Sequence, residues 1–162
     1  MLLKSIKLTE FRNFKGTQEI IFADDAKENV TVIMGENGSG KTTLAQAFTW
    51  CLYGKTDFTD AMVMSKATLQ TMQPNEPKKV TVEIKLQHRE TIYIVSREQE
   101  YRRDYNGKVK SSPTRLSICF KGKDGQQEFV TENLVDSKVK EILPSELSGY
   151  FFFNGERIEK MS

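Results

Sequence analysis

Three glycines within six residues, Gly35, Gly38 and Gly40, stand between an apolar, β-branched run and a segment of helical periodicity, and Lys41 and Thr42 follow at once. The stretch Gly35-Glu36-Asn37-Gly38-Ser39-Gly40-Lys41-Thr42 satisfies G-x-x-x-x-G-K-[ST] at each fixed position. Glycine lets backbone amides turn inward around an anion with no Cβ in the way. A lysine at this position puts a point charge on β- and γ-phosphates, and the following hydroxyl suits Mg²⁺. A helix starting at Lys41 aims its positive end at the same anion. The residues expected to hold a nucleoside triphosphate, ATP with Mg²⁺, are therefore Gly35, Asn37, Gly38, Ser39, Gly40, Lys41, Thr42 and Thr43, with Lys41 as a catalytic group and Thr42 as a metal ligand. This motif demands a strand before it and a helix behind it, and it sets the frame for the rest of the chain.

Val30, Val32 and Ile33 in the run Asn29 to Met34 predict a buried central strand leading into Gly35. Behind the loop, Leu44, Ala47, Phe48, Cys51 and Leu52 recur at helical spacing, and Gly54 is placed to stop that helix. Upstream, Leu2 to Thr9 alternates as a strand, a turn follows at Arg12-Asn13-Phe14-Lys15-Gly16, and Gln18 to Phe22 forms a second strand. Asp57 to Asn75 predicts a loop with one short helix. Val80, Val82, Ile84 and Leu86 alternate with polar residues, and strands are expected again at 91–97, 116–120 and 128–130. Glu132 to Leu143 predicts a helix with Leu134, Val135, Val139 and Ile142 inward, and Tyr150 to Phe153 a last buried strand. The expected organisation is one α/β unit: a phosphate-loop core over 1–77, an antiparallel β-subdomain over 78–131, a helix and strand over 132–155, and a helix start over 156–162.

At 162 residues, with 38% apolar and 28% charged residues, the chain can bury a real core. No apolar run nears the ~20 residues of a membrane span, and the N-terminus lacks a signal-peptide core, so a cytoplasmic protein without a membrane partner is expected. Cys51 and Cys119 have no Cys or His neighbours at metal spacing, and His88 is the only histidine; two reduced, core-type cysteines are expected. The net charge is +2, but it is unevenly spread. Eight basic residues against three acidic ones lie between Arg97 and Lys123, and four basic against eight acidic follow from Asp124. Two readings of the basic stretch stand side by side: a track for a DNA backbone or a solvated hairpin.

Hydrolysis needs a second carboxylate near Mg²⁺ and a group that orients water. No apolar strand ending in Asp lies downstream of the loop. Ile20-Ile21-Phe22-Ala23-Asp24-Asp25 precedes it, and Leu147-Ser148-Gly149 is followed by aromatics rather than by a glycine and a helix. The chain carries half of an ATPase site, so little turnover is expected from it alone.

The order of a strand, an Arg-Asn-Phe turn, a phosphate loop with Asn37, an antiparallel lobe and Phe151-Phe152-Phe153-Asn154-Gly155-Glu156 resembles the N-terminal lobe of the SMC-like ATP-binding-cassette ATPases, the group of SbcC, RecN and RecF. Together with Trp50-Cys51-Leu52-Tyr53-Gly54-Lys55, the aromatic segment looks most like DndD of DNA phosphorothioation systems. The resemblance implies a P-loop fold of cassette-head type, with a mixed sheet plus the antiparallel β-subdomain. It also implies that a C-terminal lobe of the same protein supplies the signature and the second carboxylate across a coiled coil beginning at Glu156. It places Arg12 and Asn13 against the phosphate and sugar side of the nucleotide. Asn154 falls at the Q-loop position, near Mg²⁺ and the attacking water, where relatives carry Gln or Asp; Asn keeps the carbonyl oxygen but is shorter and uncharged. A turn-forming Asn before Gly155 is the other reading of that residue.

The function so implied is an ATPase acting on DNA through ATP-driven head dimerisation, cytoplasmic and nucleoid-associated, in DNA phosphorothioation or phage defence with other subunits of such a system. The alternative is a DNA double-strand-break repair ATPase of the SbcC or RecN type. A small-molecule P-loop kinase and an ATP-binding module without turnover are the remaining rivals.

Overall fold

The computed structural model describes residues 1–25, 27–122 and 125–144. Its backbone is a seven-stranded sheet crossed on one face by helices. Strand β1, Leu2–Phe11, pairs antiparallel with β2, Phe14–Ile21, on one side and with β3, Lys78–His88, on the other. Then come β4 (Thr91–Arg103), β6 (Arg115–Lys121) and β7 (Gln127–Phe129), in the order β2-β1-β3-β4-β6-β7, while β5 (Val109–Ser111) pairs with the far end of β4. The helices are α1 (Lys41–Tyr53), α2 (Lys66–Thr71) and α3 (Val135–Ile142), the last preceded by a 3₁₀ turn at Glu132–Leu134.

Period-2 alternation decides which face is covered. Ile6, Leu8, Val80, Val82, Ile84, Leu86, Tyr93, Val95 and Ile118 all point to one side and are buried. The register sets them in rows, Ile6 beside Ile84, Ile84 beside Val95, Val95 beside Ile118. Onto this face α1 lays Leu44, Ala47, Phe48, Cys51 and Leu52, and α3 adds Val135, Val139 and Ile142. The opposite face carries Ser5, Lys7, Thr9, Thr81, Glu83, Lys85, Ser96 and Glu98. Here Lys7 is flanked by Glu19 and Glu83, and Lys79 pairs with Glu98 at 3.2 Å.

Several sequence expectations are met. The helix behind the loop ends at Gly54, which takes the left-handed conformation (φ 70°) and donates its amide to the Trp50 carbonyl. The 57–75 segment holds one short helix. Both cysteines are free and buried.

Others need correction. The segment 29–34 is not a buried central strand. It joins no sheet among the described residues, and Val30, Val32 and Met34 are 79%, 75% and 88% exposed. Its β-branched composition is that of a buried strand, yet no described strand runs beside it, and an unpaired strand has neither ladder nor cover. The sheet is also not mixed: all pairings between the described strands are antiparallel. Strands β1 and β2 sit in the same sheet as β3 to β7, because β1 pairs with β3 along nearly its whole length. Strand β4 runs six residues beyond the expected end at Arg97, and β5, too short and polar to show a period, returns alongside it. Leu134 faces solvent rather than the core, since the chain there is still in the 3₁₀ turn and the α-helical stripe starts at Val135. The expected strand at Tyr150–Phe153 and the helix start at Glu156 lie outside the described residues.

Candidate phosphate-binding site

The loop turns where its glycines allow it. Gly38 and Gly40 have φ values of 84° and 103°, in the region that disfavours a side chain. Gly35 is needed for room instead: a Cβ there would lie 2.5 Å from the Ser39 hydroxyl oxygen. A Cβ on Gly40 would meet the Phe14 ring at 3.3 Å. The β1–β2 turn is thereby set against the loop, with Phe14 under Gly40. The Ser39 amide donates to the Glu36 carbonyl at 3.2 Å and closes the turn.

Helix α1 begins at Lys41 with Gly40 as its N-cap, no side chain capping it and no acidic residue in its first turn. The first amides of a helix have no intrahelical acceptor, and nothing acidic from the helix itself competes for them. The Lys41 ammonium folds back and donates to the carbonyls of Gly35, at 2.6 Å, and Glu36, at 2.8 Å. Lys41 and Thr42 are exposed, Thr43 is buried, and Asn37 and Ser39 lie on the open rim. The donor set is therefore a helix start, an ammonium held only by neutral carbonyls and an exposed threonine. That set fits a polyphosphate with a hard cation: a helix start and an ammonium are anion donors, and a hydroxyl oxygen follows them in sequence.

Arg12 and Asn13 form the β1–β2 turn next to the loop. Glu10 and Arg12 both adopt positive φ, 56° and 52°, on either side of the fully buried Phe11. Such non-glycine conformations persist where surroundings impose them, and here they do. The Arg12 amide donates to Val63 O and the Ser65 amide to Glu10 O, each at 2.8 Å; the Glu10 carboxylate accepts from the Gly16 amide and the Thr68 hydroxyl. The Arg12 guanidinium pairs with Asp60 at 2.5 Å, donates to Met62 O at 2.7 Å and lies 4.2 Å over the Phe58 ring. Asn13 is exposed. Asn154, expected near Mg²⁺, lies outside the described residues.

Sequence reading missed the Asp60 and Phe58 side of this site, because a loop without period gives no sign of what it faces. It also counted Arg97 with the basic stretch. Alternation on β4 was the available signal: Tyr93, Val95 and Arg97 share the core face. The structure divides that stretch. Arg97 is buried, Arg103 donates to the Leu69 carbonyl, Arg102 pairs with Glu100 at 2.8 Å and Lys110 with Asp104 at 3.8 Å. Open to solvent among the described residues of the stretch are the cross-strand pair Arg102 and Lys110, with Lys108, Arg115 and Lys121.

Among the described residues no cluster of three His, Cys, Asp or Glu side chains is placed to hold a metal, and no helix is long and apolar enough to cross a membrane.

A glycine-rich loop at a helix start, with lysine and threonine in sequence behind it, is the pattern of a phosphate-loop protein. The family model described as AAA domain matches residues 5–162, and the chain belongs to that family, whose members in general use a nucleotide with Mg²⁺. The chain is also 30% identical over 124 residues to the SbcC subunit of the SbcCD nuclease of Staphylococcus aureus strains JH9 and Newman, a match covering 76% of this chain and 12% of that protein. It thus spans about an eighth of the length of those relatives. These matches support the SMC- and SbcC-like ATPase resemblance; they carry nothing specific to DNA phosphorothioation.

Proposed function

We propose that this chain is the nucleotide-binding N-terminal lobe of an SMC-like, DNA-associated ATPase of the SbcC type. The observation that carries the reading is the loop itself: Gly35, Gly38 and Gly40 at positions where a side chain would collide or strain, and Lys41 holding its charge over the loop on two neutral carbonyls.

ATP with Mg²⁺, when bound, supplies a phosphoryl group for transfer to water, a reaction that proteins promote by positioning and charge stabilisation. The amides from Gly35 to Thr43 and the start of α1 would hold the phosphates. Lys41 would exchange its two neutral acceptors for anionic ones, which would strengthen its hydrogen bonds. The Thr42 hydroxyl would supply an oxygen ligand to the cation. Asn154 would add a carbonyl oxygen there. Arg12, whose Nη1 is held by Asp60, would approach the nucleotide from the β1–β2 turn.

The exposed apolar segment 29–34 supports completion of the head by further strands, and a C-terminal lobe of the same protein would supply these together with the second carboxylate. Two such heads closing on ATP would form the working dimer, biased by nucleotide between open and closed assemblies. Similarity to a component of the SbcCD nuclease favours DNA as the partner and a nuclease subunit beside it. A repair-type role in the cytoplasm or nucleoid therefore takes precedence over phosphorothioation or phage defence. Titration of the complete protein with ATP and Mg²⁺ in a calorimeter tests the reading. Binding that disappears in Lys41→Ala supports it; equal heats from both proteins would remove the loop from nucleotide binding.

A further inference from the structure

Among the described residues Arg97 is the one arginine that points into the core, on the covered face of β4 between Val82 of β3 and Leu116 of β6. It is 7% exposed, and among the described residues no carboxylate lies within ion-pair distance of it. A buried guanidinium without an acid is costly unless other acceptors hold it. Its Nε donates to the Cys51 carbonyl at 2.9 Å and its Nη1 to the Thr114 hydroxyl at 3.0 Å.

The Cys51 carbonyl belongs to the last turn of α1, where carbonyls have no helical donor and the helix dipole is negative. Gly54 closes the same turn, and a Cβ on it would stand 3.2 Å from Arg97 Nη1. The guanidinium therefore rests directly on the helix end, with a glycine making the space. Burial pushes the Arg97 pKa down, and the fields of Cys51 and Asp136 push it back up.

The other end of this helix is the phosphate loop. From Cys51 back to Lys41 is about 15 Å of helix at ~1.5 Å per residue. A tilt of about 5° about the anchored end displaces the loop by about 1 Å over that length. Misplacement on that scale costs a reaction about a hundredfold.

We propose that Arg97 is a positioning residue for the phosphate loop: it clamps the C-terminal turn of α1 to β4 and, through the rigid helix, fixes where Gly40, Lys41 and Thr42 stand. The consequence for ATP rests on the nucleotide reading above; the clamp on α1 does not.

The test uses the complete protein carrying this chain, as wild type, Arg97→Met, Thr114→Val and Val139→Ala. Arg97→Met keeps an unbranched apolar stem but gives up both hydrogen bonds. Thr114→Val removes one anchor and leaves the charge in place, so it remains informative where Arg97→Met does not fold. Val139→Ala hollows the core at α3 and serves as a control for general destabilisation. Hydrogen exchange of residues 41–53 and calorimetric ATP affinity are measured at a temperature where circular dichroism shows each variant folded.

The expected result is faster exchange along α1 and an ATP affinity about tenfold weaker in Arg97→Met. Thr114→Val should show a smaller loss of the same kind, and Val139→Ala neither effect. Exchange along α1 unchanged in Arg97→Met, or in Thr114→Val where only that variant folds, overturns the clamp. An equal loss in Val139→Ala does so too. Wild-type protein that fails to bind ATP overturns the nucleotide reading alone, because the exchange of α1 still decides the clamp.

Discussion

Lys41 and Arg12 are both cations beside the loop, and the structure occupies them differently. Lys41 rests on neutral carbonyls, whereas Arg12 is engaged by the Asp60 carboxylate and the face of Phe58. Asp60 is half exposed, so the pair is screened and its loss costs little stability, about 1 kcal/mol or less. Asp60→Asn should therefore leave folding intact and take the anionic partner from Arg12, leaving the Met62 carbonyl and the Phe58 ring. If Arg12 serves the nucleotide, calorimetry will show ATP binding a few-fold tighter in that variant; an unaltered affinity would make Arg12 a structural turn residue. Cys51 gives a second prediction at this scale. Its thiol is fully buried and donates to Val82 O at 3.3 Å, and burial pushes its pKa from the ordinary 9.0 up to about 12. Between pH 9 and 12 the unfolded thiol loses its proton while the folded one keeps it. Stability must fall as pH rises through that window, by about 1.4 kcal/mol per pH unit from this group. Denaturant unfolding of wild type and Cys51→Ala at about pH 8 and about pH 10, on either side of the unfolded thiol's titration, should show a stability difference that shrinks at the higher pH; a constant difference would sink the assignment.

At the scale of elements, the hairpin of β4 and β5 is where the basic stretch meets solvent. Arg102 and Lys110 are cross-strand partners and share a face, with Glu100 and Asp104 beside them. Like charges set opposite each other destabilise a strand pair, and here the two acids offset that. If this face tracks a DNA backbone, replacing Arg102 and Lys110 by alanine in the complete protein should lower the slope of log affinity against log salt by about 2. An unchanged slope, measured by fluorescence anisotropy with labelled duplex, would leave the hairpin as a solvated edge. Arg103 does not belong in that test, because it holds the Leu69 carbonyl under α2. Helix α1 was legible in full from its spacing and from Gly54, since helical period and a left-handed stop are local properties. Strand β5 was not: three residues carry no period, and only the extension of β4 beyond the sheet creates a place for it to pair.

Across the whole molecule, one face of the sheet is covered and one apolar segment is left out. Val30, Val32 and Met34 lead into the loop without a neighbouring strand among the described residues. Exposed β-branched segments of this kind mark surfaces that other structure covers. Substituting Val32→Lys should therefore change the stability of this lobe by no more than about 0.5 kcal/mol, as for a surface site. The same change should abolish its association with the remainder of the protein, followed by size exclusion of the two parts expressed together. A large loss of lobe stability would show instead that the segment packs within this chain. Turnover by this chain alone is expected to stay at background, because no apolar strand behind the loop ends in an Asp that could give Mg²⁺ its second carboxylate; phosphate release assays check it.

Local chemistry was written in the sequence. The glycine spacing, Lys41 and Thr42 marked the loop and the helix start behind it, and alternation named β3 and most of β4, because each depends only on residues a few positions apart. Only the tertiary structure decided the rest. It placed β1 between β2 and β3, set Phe14 under Gly40 and Asp60 against Arg12, and turned Arg97 inward onto the far end of α1. Those are contacts between residues tens of positions apart, fixed by which faces must be buried together, and no local pattern carries that information.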